Sequence, residues 1–159
     1  MKIALGSDHT GVTHRRLLRE YFAEKGIEYR DIGPSAPEPT DYPLIAYDVA
    51  RAVADGDCDL GVLVCGTGIG VSIAANKVPG ILAAACHDEY TVAMSRKHNH
   101  ANVLCLGARQ ENEGLVVRLV DLWLNTAPEG GRHDRRVKQI FDIEREIISR
   151  RSRAGRPLA

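Results

Sequence analysis

A cysteine directly ahead of a glycine-rich loop is the strongest chemical signal in this sequence. Cys65 ends an apolar segment and is followed by Gly66-Thr67-Gly68-Ile69-Gly70. A thiolate can act as a nucleophile or a base, and the backbone N–H groups of a glycine loop that opens a helix can bind an anion. The sequence therefore predicts an active site in which a thiol and an oxyanion-binding loop act on one ligand.

Two familiar glycine patterns do not account for this loop. The dinucleotide-binding pattern needs a third glycine where Val71 stands, and the phosphate-binding loop of nucleotide hydrolases ends in Gly-Lys-Ser/Thr. A glycine loop can also be only a tight turn, and a cysteine beside a strand is often an inert buried residue. The functional interpretation therefore depends on polar residues elsewhere in the chain.

Polar residues follow the other predicted strands at the point where each strand ends. Asp8 and His9 follow the first strand, His87 follows the fourth and Arg109 follows the fifth. In an open α/β sheet the carboxyl ends of the strands lie along one edge, where ligands bind. We therefore expect these residues to approach Cys65, although Asp8 could instead cap a helix.

A second group of candidates lies outside these strand ends. His98-Asn99 precedes the fifth strand, and Arg132 and Arg136 are four residues apart, so one helix face could present both guanidinium groups to a phosphate. A solvated basic face is the alternative interpretation of the arginine pair. His98 and His100 could bind a metal, but no carboxylate set stands beside them, and an acid/base role for His98 is favoured.

Five apolar segments alternate with amphipathic segments, which is typical of βαβ units. The sequence therefore predicts an α/β fold, a doubly wound Rossmann-like five-stranded parallel sheet in three αβα layers. A last amphipathic helix follows Asp134, and it can pack on its own sheet or on a partner subunit. The predicted strands cover residues 2–6, 27–32, 60–65, 81–86 and 103–107.

Composition limits the classes of protein to consider. The 159 residues suit one domain, predicted over 1–148, and residues 149–159 form a basic tail that is predicted to be disordered. Because 21 basic residues balance 21 acidic ones, we expect no nucleic-acid partner. No signal peptide or membrane span is predicted. The four cysteines form no CxxC pair, which suits reduced thiols in a soluble cytoplasmic protein.

Six motifs together resemble the type B ribose-5-phosphate isomerases, a family that also includes galactose-6-phosphate isomerase subunits. The resemblance covers residues 1–148, and the glycine loop together with Glu-Gly-Gly-Arg-His makes it specific. The motifs are Asp8-His9, Thr40-Asp41-Tyr42-Pro43, Cys65 to Gly70, Asn76-Lys77, His98-Asn99 and Glu129-Gly130-Gly131-Arg132-His133.

The resemblance implies an aldose–ketose isomerase of the non-oxidative pentose phosphate pathway. It would interconvert D-ribose 5-phosphate and D-ribulose 5-phosphate through an enediolate, without a metal or other cofactor. The family forms homodimers or dimers of dimers with the site between subunits. By this resemblance Cys65 is the base that moves the proton between C1 and C2. His98 opens the sugar ring, assisted by Asp8 and Thr67.

The resemblance also assigns the residues that bind the sugar phosphate. One branch of the family has serine at the position of Cys65 and a glutamate base shortly downstream, where this chain has Ala74 and Ala75. The chain therefore resembles the cysteine branch. The backbone of the glycine loop would hold the enediolate oxygen, and His9, Arg132 and Arg136 the phosphate. The full substrate-binding set is Asp8, His9, Gly66, Thr67, Gly68, Ile69, Gly70, Asn99, Arg109, Arg132 and Arg136.

Three other functions stay open at this point. The substrate could be a six-carbon sugar phosphate, such as allose or galactose 6-phosphate. The chain could be a non-catalytic module that binds a sugar phosphate or a nucleotide, but binding alone would need neither Cys65 nor His98. A thiol redox protein would need a resolving cysteine, which only Cys86 or Cys105 could supply by approaching Cys65 in space.

Overall fold

The computed structural model describes residues 1–34, 38–110 and 112–153. Within them five strands form one parallel sheet in the order β2-β1-β3-β5-β4, which confirms the predicted doubly wound fold. The strands are β1 (Lys2–Ser7), β2 (Glu28–Ile32), β3 (Leu60–Cys65), β4 (Ala83–Ala85) and β5 (Val103–Gly107). The helices are α1 (Val12–Lys25), α2 (Tyr42–Ala54), α3 (Ile69–Ala75), α4 (Glu89–Lys97), α5 (Glu113–Leu124) and α6 (Arg132–Arg153), and a 3-10 turn covers His9–Gly11.

The sheet is covered on both faces, as a parallel sheet requires. One face packs against α1 and α5, where Phe22 and Trp123 are fully buried. The other face packs against α2 and α3, where Val49 and Val71 are fully buried. Alternate residues of each strand serve the two layers, and Cys65 packs with the α2–α3 layer. The three predicted layers are therefore confirmed.

The fourth strand is shorter than the predicted 81–86, because it lies at the edge of the sheet. The side-chain amide of Asn76 donates to the carbonyl of Ala83 and accepts from its N–H, both at 2.8 Å. Asn102 Oδ1 likewise accepts from the N–H of Leu82 at 2.8 Å. Side chains thus satisfy backbone groups that a neighbouring strand would otherwise pair, and the strand begins only at Ala83.

The last helix is longer than the sequence pattern indicates. It begins at Arg132, ahead of the predicted start, and continues to Arg153, so residues 149–153 of the predicted tail are helical. An ion pair between Glu146 and Arg150, four residues apart, stabilises this end of the helix. The rest of the predicted tail, 154–159, lies outside the described residues. Among the described residues no helix has the length and apolar character needed to cross a bilayer.

Candidate active site

A cleft of about 510 Å³ opens at the carboxyl edge of the sheet, where β1, β3 and β5 end. The predicted meeting of Asp8, His9, Cys65 and Arg109 is confirmed, because all four line it. His87 does not line it, since β4 lies two strands away from β3. The lining residues are Asp8, His9, Thr10, Tyr42, Cys65, Gly66, Thr67, Ile69, Gly70, Ile73 and Arg109.

Cys65 is the last residue of β3, and only 4% of it is exposed. Its Sγ accepts a hydrogen bond from the backbone N–H of Gly68 at 3.2 Å. A backbone N–H aimed at the sulfur stabilises negative charge there. The loop is held in place by β5, because the N–H of Ala108 donates to the carbonyl of Cys65 at 2.8 Å. The thiol is thus fixed at the wall of the cleft.

Glycine is required both within the loop, at Gly68, and on the strand beside it, at Gly107. Gly68 has φ 74°, a left-handed conformation that other residues adopt only with strain. On the neighbouring strand, a Cβ on Gly107 would lie 2.9 Å from the backbone of Thr67, so β5 can approach the loop only with glycine there. Arg109 lies over the loop, its Nε 3.5 Å from where a Cβ on Gly66 would stand. The positively charged Arg109 side chain therefore lies beside the loop that follows Cys65.

Asp8 and His9 form the opposite wall of the cleft. Asp8 is 5% exposed, and its Oδ1 accepts from both the N–H and the hydroxyl of Thr10, at 2.9 and 2.6 Å. The carboxylate therefore caps the 3-10 turn while it lines the cleft, so both interpretations of Asp8 hold. His9 Nδ1 accepts from the N–H of Thr40 at 3.2 Å. Nδ1 also lies 3.4 Å from the carbonyl oxygen of Thr40, so the backbone of Thr40 can hold the ring in either tautomer.

Five of the predicted site residues do not line this cleft: Gly68, within the loop itself, and four residues at the other edge of the sheet. His98, Asn99, Arg132 and Arg136 lie toward the amino edge of the sheet, because α4 and α5 run back from the carboxyl edge to that side. Val103, a few residues after His98, begins β5 opposite Gly61 near the start of β3. At about 3.3 Å per residue, six residues of β3 separate the two edges by about 17 Å.

At the amino edge three residues form what we call the histidine cluster: His98, Glu129 and His133. The two imidazole rings stack with centroids 4.1 Å apart and 8° between their planes. Glu129 Oε2 lies 3.6 Å from Nε2 of His98 and 3.9 Å from Nε2 of His133. Burial lowers the pKa of His133, and charge on His98 lowers it further. The N–H of Glu129 donates to the carbonyl of Lys97 at 2.9 Å, which joins the two segments.

Two arginines stand exposed beside the histidine cluster. Arg132 Nε donates to Nε2 of His133 at 3.2 Å, and Arg136 lies one turn further along α6. Among the described residues neither guanidinium forms an ion pair with a carboxylate. His100 turns away from a metal pair with His98, because its Nε2 lies 3.2 Å from the carbonyl of Glu129 and 3.3 Å from Asp134. The two arginines are thus available to an anionic ligand.

Comparison with known proteins establishes the family. Residues 3–140 match the model of a protein family described as Ribose/Galactose Isomerase. The chain belongs to this family. It is an isomerase, and the resemblance drawn from the motifs is confirmed.

Three relatives of this isomerase cover nearly the whole chain. Ribose-5-phosphate isomerase B of Escherichia coli is 47% identical over 143 residues, which cover 90% of this chain and 96% of the relative. The structure of ribose-5-phosphate isomerase B from Mycoplasma genitalium with bound ribulose-5-phosphate is 44% identical with a TM-score of 0.87, covering 91% of this chain and 97% of that chain. D-erythrulose-4-phosphate isomerase of Pectobacterium atrosepticum is 39% identical over 148 residues, 92% of this chain and 97% of the relative.

No function is assigned to Glu129 or His133 from the sequence, although both belong to a motif on which the resemblance to the family rests. A sequence signal for their contact exists. They are four residues apart in sequence, and Glu129 lies three residues ahead of α6 while His133 lies in its first turn, so this short separation keeps the two side chains close. The stacking of His133 on His98 has no such signal, because it joins segments 35 residues apart through the packing of two helix ends.

A substitution at Gly68 tests whether the loop conformation matters for turnover in this isomerase. Gly68→Ala should lose about 1–2 kcal/mol of unfolding free energy, because its φ is positive. It should also lower kcat about 100-fold, since a Cβ there would stand 3.1 Å from the carbonyl of Cys105 and displace the loop. Gly26→Ala is the matched control, because Gly26 has φ 66° with nothing within 4 Å of an added Cβ. It should lose similar stability and keep kcat, and an unchanged kcat in Gly68→Ala would contradict the account.

Proposed function

We propose that this isomerase interconverts D-ribose 5-phosphate and D-ribulose 5-phosphate through an enediolate, without a metal ion. The observation that carries the proposal is the Cys65 thiol, fixed at the end of β3 against a glycine loop inside a cleft. The names of the relatives support the five-carbon substrate, and the bound ribulose-5-phosphate of the M. genitalium enzyme supports a pentose phosphate as ligand. The reaction would belong to the non-oxidative branch of the pentose phosphate pathway.

The chemistry requires a base and a place for negative charge. Cys65, as thiolate, removes the proton from C2 of the open-chain aldose and returns it to C1, and the proton on the C2 hydroxyl moves to the C1 oxygen. A carbon acid beside a carbonyl is weak, so its anion must be stabilised as it forms. Preorganised N–H donors of the loop from Gly66 to Gly70 supply this, and each such donor is worth about 2.7–4 kcal/mol in comparable sites.

Ring opening and phosphate binding need the residues at the other edge of the sheet. His98 transfers the proton that opens the furanose, and Asp8 and Thr67 assist it. Arg132 and Arg136 hold the phosphate together with His9, while Asn99 and Arg109 line the pocket. Because the two edges of one sheet stand about 17 Å apart, the halves meet only when a second copy of the chain supplies one of them. We therefore propose a homodimer with its sites between subunits.

Uncovered apolar side chains support this homodimer. Five of them, among them Leu44 at 72% exposed and Ile73 at 59%, line the cleft or the neighbouring pocket that shares Tyr42 and Ile73 with it. Four isoleucines are exposed on α6, the helix that begins beside the histidine cluster. Apolar surfaces that border each half of a site are expected where two copies meet. The residues are Tyr42, Leu44, Tyr47, Ile69 and Ile73 at the cleft, and Ile140, Ile143, Ile147 and Ile148 on α6.

We also propose that the protein works in the cytoplasm. All four cysteines are buried free thiols, which suits a reducing compartment. Cys58 lies apart from the cleft, and Cys105 is fully enclosed, where burial raises the pKa of its thiol well above the usual range. A deeply buried thiol of that kind is a poor nucleophile, and this weighs against the thiol redox function.

A substrate panel tests the proposed function. The purified enzyme, with a metal chelator present, is assayed with ribose 5-phosphate, allose 6-phosphate and erythrulose 4-phosphate. We expect turnover of all substrates to be unaffected by the chelator, and kcat/KM to be highest for ribose 5-phosphate. Higher kcat/KM for either other sugar would transfer the assignment to that sugar. No turnover of any of them, with binding retained, would favour a non-catalytic sugar-phosphate-binding module.

A further inference from the structure

The histidine cluster brings two imidazole nitrogens and one carboxylate oxygen close together. The potential metal-ligating atoms of His98, Glu129 and His133 all lie within 4.8 Å of one another. Two histidines and one glutamate are an established donor set for zinc, and three protein ligands leave a further position open. We propose that this cluster binds a divalent transition-metal ion of the zinc class and that the bound ion inhibits the enzyme. The inhibitory effect rests on the proposed function, whereas the binding does not.

The side chains need only small movements to reach the ion. Ligands at about 2.0–2.2 Å from a tetrahedral ion stand about 3.4 Å from each other. The two nitrogen–oxygen separations in the cluster are 3.6 and 3.9 Å, so they exceed that spacing by a few tenths of an ångström. The stacked rings must also tilt, since the nitrogen lone pairs of parallel rings do not converge. Both adjustments are side-chain rotations, and the backbone bond from Glu129 to Lys97 stays intact.

One side of the cluster is closed and the other is open. The side chain of His133 is 7% exposed, whereas those of His98 and Glu129 are 36% and 50% exposed. An ion can therefore enter from the side that the sugar phosphate would use, while the buried imidazole fixes the far wall. The open coordination positions would face that same side.

The ligand atoms, and not the surrounding charges, select the kind of ion. Lys97 Nζ lies 3.7 Å from the second oxygen of Glu129, and Arg132 Nε lies 3.2 Å from Nε2 of His133. These cations oppose any divalent ion alike, so binding has to come from the ligand atoms, and one carboxylate gives too few oxygen ligands for magnesium or calcium. Imidazole nitrogen favours zinc, copper or nickel instead. An ion on Nε2 of His133 would also displace Arg132, so it would remove both the ring-opening histidine and part of the phosphate clamp. Inhibition should therefore be competitive with the sugar phosphate.

Cobalt(II), a spectroscopic substitute for zinc, tests the binding on the metal-free full-length chain. Titration should give saturable visible absorption with one ion per chain, and zinc should displace it. Glu129→Gln and His133→Gln should each weaken the affinity at least tenfold, as loss of one ligand requires. Two variants are used because His133 is buried and its replacement could affect folding, which circular dichroism would reveal. Cys65→Ser should keep the affinity, since the thiol is not one of the three proposed ligands.

The outcomes separate this proposal from the proposed function. Absence of saturable absorption at millimolar cobalt would overturn the metal site, as would binding that survives Glu129→Gln and disappears in Cys65→Ser. The inhibition is tested by the effect of zinc on the KM for ribose 5-phosphate. Zinc should raise this KM at least tenfold more in the wild type than in Glu129→Gln. An equal rise in both proteins would overturn the proposal that the bound ion inhibits the enzyme. If the enzyme does not turn over ribose 5-phosphate, the cobalt titration still decides the metal site.

Discussion

Cys65→Ala should abolish isomerisation of ribose 5-phosphate and leave its binding nearly unchanged. A positioned general base contributes about 10²–10⁴-fold to a rate, and Cys65 is the one thiol among the residues that line the described cleft. We expect kcat to fall about 1,000-fold or more, because water cannot occupy the same position with comparable basicity. A coupled assay measures kcat, and calorimetry with ribose 5-phosphate measures the binding that should persist.

A second cysteine gives the matched control for this substitution. Cys58 is as buried as Cys65, with 3% of it exposed, but it packs beneath α2 and does not line the cleft. Cys58→Ala should therefore keep kcat within about twofold while losing a small part of its stability. Turnover that survives Cys65→Ala would keep the reaction and move the base to another residue.

Two inactive variants should restore each other's activity when their subunits are mixed. Cys65→Ala damages the cleft half of the site, and His98→Asn damages the half at the amino edge. In a homodimer whose sites draw one half from each subunit, a mixed dimer has one site with both defects and one with neither. Random exchange at equal concentrations makes half of the dimers mixed, so about a quarter of wild-type activity should return.

The control for this mixing experiment uses two defects in the same half. Cys65→Ala mixed with Cys65→Ser leaves every site with a damaged cleft, so no activity should return. Unfolding and refolding the two chains together ensures that subunits exchange. Should the first mixture stay as inactive as its components, His98 and Cys65 would not belong to a site shared between subunits.

The cleft could be predicted from the sequence because its parts follow strands directly. Asp8, Cys65 and Arg109 each stand within a few residues of the end of a parallel strand, and all such ends share one edge of the sheet. No long-range packing has to be known for that inference.

The histidine cluster could not be predicted in the same way. His98 and His133 are joined by ring stacking between the end of α4 and the start of α6, and neither periodicity nor a strand end marks that contact. The same limitation applies to β4, whose length depends on amides of Asn76 and Asn102 from other segments. Contacts between distant segments thus determine the histidine contact and the length of β4, which local sequence patterns do not predict.

Deuterium incorporation tests most directly whether Cys65 carries a proton between C1 and C2. Ribose 5-phosphate is converted in D₂O by the wild-type enzyme with chelator present, and the ribulose 5-phosphate is examined by NMR. The proposed mechanism predicts deuterium at C1 of the product, because the thiol at the cleft wall exchanges its proton with solvent during the enediolate step. It also predicts that Cys65→Ala gives no incorporation. Ribulose 5-phosphate that stays free of deuterium at C1 after many turnovers at equilibrium would contradict the account.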